Sequence, residues 1–317
     1  MKQQAFEELN QPLWLEVESV LNDSKGKPGA DFPRQYRALC QQLAVAKSRR
    51  YTSHLIDRLN RLVVEAHHVL YRRSAVSQSR WLWFLVYGFP SVIRRNKSYV
   101  LWASILFYLP LIAMGTACFV NEDMIYSIMD PDAVRNFDSM YDPGNESIGR
   151  ERDSETDLAM FGFYIKNNVG IGFRTFAGGM LFGVGAIFFL IFNGISIGGV
   201  GGYLTQIGYI DTFYGFVVGH SAFELTAIVF CGAAGLKLGL KLLDPGPLKR
   251  VDAVRLAGRE AILIVYGAAL MLVIAAFIEA FWSSTRSLPL VIKYSFGAAM
   301  AIMLLSYFCF SGRRYES

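Results

Sequence analysis

The sequence predicts an all-α, polytopic membrane protein of about six crossings, behind an N-terminal cytoplasmic helical domain. Two of the crossings form a glycine-rich broken or re-entrant pair. Three observations carry this prediction. Of 317 residues, 53% are hydrophobic and only 18% charged. Several apolar runs exceed the roughly 18–20 residues that a helix needs to cross hydrocarbon. The basic residues stand beside those runs, as membrane anchors do, so the net charge of +5 does not indicate a nucleic-acid partner.

Residues 1–80 read as the cytoplasmic helical domain. Phe6 to Leu21 is apolar at helical spacing, and Ser24-Lys25-Gly26-Lys27-Pro28-Gly29 ends that helix. Asp31 followed by Pro33 starts the next one. From Thr52 to Tyr71, the positions Leu55, Leu59, Leu62, Ala66 and Val69 share one face. The first residues are polar and acidic, so no cleavable signal is expected and the first span serves for targeting. Cys118, Cys231 and Cys309 lie in apolar runs, Cys40 lies in the soluble part, and no CxxC occurs; all four read as free thiols.

Residues 81–97, with Trp81, Trp83 and Phe89-Pro90 ahead of Arg94-Arg95-Asn96-Lys97, read as an interfacial helix. A transmembrane domain follows over 98–310. Its first span runs from Tyr99 to Val120 and starts on the side of the Arg94–Lys97 cluster, the cytoplasm. Residues 121–166 hold eleven acidic residues against four basic ones, which suits a solvated extracytoplasmic loop. A second span is expected from Thr175 to Phe192, and later ones over Ala261–Trp282 and Leu290–Phe310. The connection 237–259 is basic, as is the tail 311–317 with Arg313 and Arg314, so both belong in the cytoplasm together with the amino terminus. Residues 194–242 must therefore leave and return, as a glycine-rich limb over Ile195–Tyr214 and a helix over Val217–Leu242.

That return contains the candidate site. Asn193, His220 and Glu224 are polar in an otherwise apolar stretch, and such groups at membrane depth usually face protein or a water-filled cavity. His220 and Glu224 are four apart, hence on one helix face. Gly179 and Gly183, Gly194 and Gly198, and Gly232 and Gly235 are small residues suited to close helix packing. Arg174, Glu279 and Lys293 are read as interfacial, with their charged ends reaching the headgroups. No cofactor and no metal is expected: HExxH is absent and no third ligand accompanies His220 and Glu224.

Several short motifs resemble the stage II sporulation protein M family over roughly residues 80–310. They are Asn167-Asn168, Gly178-Gly179, Asn193-Gly194 with Gly198, the run His220-Ser221-Ala222-Phe223-Glu224-Leu225-Thr226-Ala227, and Gly232-Ala233-Ala234-Gly235. Ser221 stands where the family usually has glycine, and Thr226 where it usually has proline, so this helix is expected to be straighter. The resemblance implies a bacterial cytoplasmic (inner) membrane protein with no established catalytic activity. It also implies other membrane or cell-envelope proteins as partners beside the lipid bilayer, and leaves room for a homo-oligomer. The expected function is a non-enzymatic scaffold or subunit of a membrane complex linked to cell-envelope processes. The alternative is a transporter or channel using the intramembrane His/Glu site.

Overall fold

The computed structural model describes residues 2–22, 31–71, 81–144, 157–285 and 288–313. The turn expected over residues 24–29, the middle of the acidic loop (145–156) and the tail beyond Arg313 lie outside the described residues. Among the described residues there is no strand, and the chain divides into two compact units, 1–80 and 81–317. The protein is an all-α polytopic membrane protein.

The first unit is three helices, α1 (Gln3–Asn22), α2 (Phe32–Ser48) and α3 (Ser53–Tyr71). Pro33 sits in the first turn of α2, where its missing N–H costs nothing. The α3 face predicted from spacing is the buried one: Leu55, Leu59, Leu62 and Ala66 close on Trp14, Val17, Phe32 and Leu39. Trp14 Nε1 donates to Gln42 Oε1 at 2.7 Å, and Arg58 caps the indole while pairing with Glu18 at 3.0 Å.

The second unit opens with a π-helical turn at Phe84–Gly88 running into α4 (Phe89–Arg95). Phe89 N–H bonds the Phe84 carbonyl and Pro90 has no N–H, so the carbonyls of Leu85 and Val86 lose their helical partners. The hydroxyls of Tyr307 and Ser311 take them up. Trp81 and Trp83 are exposed as an interfacial segment requires, but Phe89, Pro90, Val92 and Ile93 are buried in the helical core. The interfacial helix expected over 81–97 is thus half a core element.

Five described helices are long and apolar enough to cross a membrane: α5 (Lys97–Val120), α8 (Val184–Gln206), α9 (Ile210–Leu243), α10 (Arg250–Ile278, continued by a π turn to Ser283) and α11 (Leu290–Phe310). Their burial separates centre from rim: 61% of the α9 window is buried, against 17% for α5 and for α11. On the rim helices Leu101, Leu109, Val291 and Leu305 point outwards, as lipid-facing side chains do.

Three expectations fail here. The 121–166 segment is not simply a solvated loop. It contains a 3-10 turn at Glu122–Ser127, a helix α6 (Pro131–Tyr141) whose Val134 and Tyr141 are buried, and the first half of α7 (Asp157–Ala177). The span expected over Thr175–Phe192 is interrupted: Gly178–Met180 is a 3-10 turn, and Gly183, just before α8, has φ +84, a conformation that favours glycine and that a continuous helix does not contain. The glycine-rich limb, in contrast, is unbroken. Gly194, Gly198, Gly199, Gly201 and Gly202 lie inside continuous α8, and the turn comes later, at Gly208 with φ +88. α8 and α9 are two full-length helices, not a re-entrant pair.

The α8 glycines do not break the helix because they are used for approach. A Cβ on Gly194, Gly198 or Gly202 would collide with the carbonyls of Phe107, Leu111 and Gly115 respectively. Both series advance by four residues, so α5 and α8 are parallel and in close backbone contact. A helix must bring the chain back between two parallel ones, and that helix is α7. It runs alongside α9, with Gly172 against Cys231, and the 3-10 turn that follows sets Gly179 against Gly235.

Candidate functional site

α9 is helical without interruption for 34 residues, so its 220/224 pair projects from one face. His220 Nε2 lies 3.7 Å from Glu224 Oε2, with both side chains largely withdrawn from solvent. The neighbouring face is supplied by the π turn Glu279–Ser283 at the end of α10. A π turn shifts the side-chain register within a helix, and such turns recur at functional sites. Here it presents Glu279 and Ser283 together. Ser283 Oγ is 3.0 Å from His220 Nδ1, and the ligating atoms of His220, Glu224 and Glu279 all lie within 4.8 Å of one another.

Outer contacts hold these groups. Asn168 on α7 donates from Nδ2 to Glu279 Oε2 at 3.3 Å, and Asn167 donates to Asn168 Oδ1 at 3.2 Å. Lys293 on α11 is 3% exposed and donates to the Ser283 carbonyl at 3.0 Å. Phe216 meets the imidazole edge-on at 5.6 Å. Tyr141, at the end of α6, is buried nearby; burial first, then the Glu279 carboxylate, pushes its phenol well above the ordinary tyrosine range, so it stays protonated.

A cleft of about 730 Å³ opens onto the group between α5, α8 and α9. Its lining is mostly apolar, with Leu111, Ile197, Val200 and Phe213 among it, and includes His220, Glu224 and Glu279. An apolar pocket with a few convergent polar groups is the usual shape of a ligand site.

The three polar residues singled out from sequence do not all meet. His220 and Glu224 do, but Asn193 stands apart, donating to the Phe189 carbonyl of its own helix at 2.6 Å. The reading of Glu279 and Lys293 as interfacial is overturned, because both face the interior at the site. The expectation that no third ligand accompanies His220 and Glu224 is overturned by Glu279. Arg174 does remain at the surface. The signal that was available for Glu279 and Ser283 is their own four-residue spacing, the same as that of His220 and Glu224.

Of the packing glycines, Gly198 lines the cleft, while the other five serve contacts between helices. Gly179 meets the Gly235 backbone, Gly183 meets Gly239, and a Cβ on Gly232 would lie 2.5 Å from Leu190. Gly235 sits under the Phe176 carbonyl. Gly194 and Gly198 seat α8 on α5. At the far end of α9, Lys237 donates to Asn96 Oδ1 at 2.7 Å and pairs with Glu260, closing α9, α10 and the start of α5.

Among known proteins, the model of a domain of unknown function (DUF8413) matches residues 4–72. No curated protein and no solved structure matches the chain. The model described as stage II sporulation protein M matches residues 103–284, more than half of the chain, with His220, Glu224, Glu279 and Ser283 all inside the match. This chain belongs to the stage II sporulation protein M family.

Proposed function

We propose that the transmembrane domain is a cation-handling unit of the transporter or channel class, working in the bacterial inner membrane with both termini in the cytoplasm. The observation that carries this is the convergence of His220, Glu224 and Glu279 in the lining of the cleft. Two carboxylates and an imidazole in a low-dielectric site attract positive charge, and ionisable groups at membrane depth commonly mark ion or proton paths. The role is non-enzymatic. The orientation is supported by the basic 237–259 connection and by the alternating directions of the helices from α5 onward.

The test is flux in proteoliposomes, with pH-sensitive dye and with monovalent and divalent cation probes, comparing the natural chain with Glu224→Gln. Flux that disappears in the folded variant is the expected result. A natural chain that moves none of these cations, or a variant that moves them unchanged, defeats the reading. An epitope at Ser317 that is reached from outside intact cells would reverse the orientation.

A second reading, scaffold or subunit of a membrane complex with cell-envelope partners, is favoured by a specific feature: the separate three-helix unit at residues 1–80. Gentle solubilisation should then retain stoichiometric partner proteins or a homo-oligomer. A protein that is recovered alone and transports by itself removes this reading.

A further inference from the structure

The geometry points to a divalent transition-metal site at His220, Glu224 and Glu279, with the cleft supplying the open coordination position; this rests on the cation-handling reading and names its cation. The donor set is one imidazole nitrogen and two carboxylate oxygens, which suits Zn²⁺ or Mn²⁺ and not a thiolate-seeking ion. Three protein ligands plus an accessible fourth position is the arrangement of metal sites that exchange a ligand, in contrast to closed structural sites.

The distances fit a site that needs only a small contraction. Ligand atoms bound to tetrahedral zinc at about 2.0–2.1 Å lie about 3.4 Å apart. His220 Nε2 and Glu224 Oε2 are already 3.7 Å apart, and the widest separation in the trio is no more than 4.8 Å. Rotation of the carboxylates covers the remainder, since each reaches the site through a flexible stem.

The surrounding groups orient the ligands as metal sites require. Ser283 Oγ stands 3.0 Å from His220 Nδ1, so in the tautomer that donates Nδ1–H to this hydroxyl the Nε2 lone pair faces Glu224, as metal binding requires. Asn168 donates to Oε2 of Glu279 at 3.3 Å and so fixes the plane of that carboxylate beside His220 and Glu224. Lys293 directs its ammonium at the Ser283 carbonyl. Two carboxylates beside one buried ammonium leave room for further positive charge, which a divalent ion supplies.

The experiment uses the purified full-length chain in detergent micelles, freed of metal with a chelator. Zn²⁺ binding is measured by equilibrium dialysis, and Co²⁺ is titrated with its visible absorption as the readout. The expected result is one saturable equivalent per chain and an intense Co²⁺ band of low coordination number. Glu279→Gln and His220→Ala should each weaken binding about tenfold or more, while Glu260→Gln, on α10 beside Lys237 and away from the site, leaves it unchanged. Glu279→Gln keeps the size of the side chain and its bond from Asn168, and thus remains informative if His220→Ala does not fold. No saturable binding, or binding equal in Glu279→Gln and the natural chain, overturns the inference. Proton or monovalent-cation flux without metal binding leaves the transport reading standing alone; metal binding without any flux does the reverse.

Discussion

Asn168 donates a hydrogen bond to Glu279 at 3.3 Å, although 111 residues separate them in the chain. This contact ties α7 to the π turn ending α10 and keeps a carboxylate turned towards His220 and Glu224.

Replacing Asn168 by Ala removes this donor from the carboxylate. Loss of a hydrogen bond to a charged group costs about 1.5–3 kcal/mol of stability, and metal affinity should fall about tenfold or more through loss of orientation. Thermal unfolding in micelles and the Co²⁺ titration measure the two effects. An unaltered titration would mean that Asn168 does not position Glu279.

The α5–α8 seam allows a comparison within one helix. Gly198→Ala drives a methyl group into the Leu111 carbonyl, whereas Gly201→Ala meets only the Phe213 ring at 3.6 and 3.8 Å, an ordinary contact. We expect Gly198→Ala to cost about 1–3 kcal/mol through forced separation of the helices, and Gly201→Ala to be near neutral. Equal unfolding midpoints for the two variants would show that backbone contact at the seam contributes little.

Gly183→Ala tests the break between α7 and α8. The residue has φ +84, and its N and Cα stand against Gly239. A left-handed conformation costs an L-residue about 1–2 kcal/mol, so the midpoint should drop while helical content by circular dichroism holds. A midpoint at or above that of the natural chain contradicts the turn geometry.

At the other end of α9, Lys237→Met removes the partner of Glu260 and Asn96. Because Glu260 is 35% exposed and also lies 3.8 Å from Arg95, the loss is limited to about 1–2 kcal/mol. Adding Glu260→Gln to Lys237→Met should recover part of it. A double variant that is weaker than the single one would show that Glu260 is stabilised by groups other than Lys237.

The unit formed by residues 1–80 encloses Trp14 completely, and Trp14 is its one tryptophan. Expressed alone, this segment should be helical and show blue-shifted tryptophan emission that moves to the red in a single cooperative step with urea. Emission at the solvent-exposed wavelength before any urea is added would mean that the unit needs the membrane domain to fold.

The sequence by itself determined what depends on short-range pattern. Apolar run length marked the spans Tyr99–Val120 and Leu290–Phe310, which the structure has at Lys97–Val120 and Leu290–Phe310, and the four-residue spacing of His220 and Glu224 set their common face. The Leu55–Ala66 stripe likewise identified the buried side of α3. Glycine content was ambiguous, because a glycine either breaks a helix or lets a neighbour approach, and composition does not distinguish the two. Tertiary contact decided it: Gly194, Gly198 and Gly202 stay helical because the α5 backbone fills the space of their missing side chains, while Gly183 lies where the chain must reverse. The third member of the site was also a tertiary matter. Glu279 at the end of an apolar run is indistinguishable from an interfacial carboxylate until a neighbouring helix turns it inward, and Asn168 on α7, with the π turn, does that.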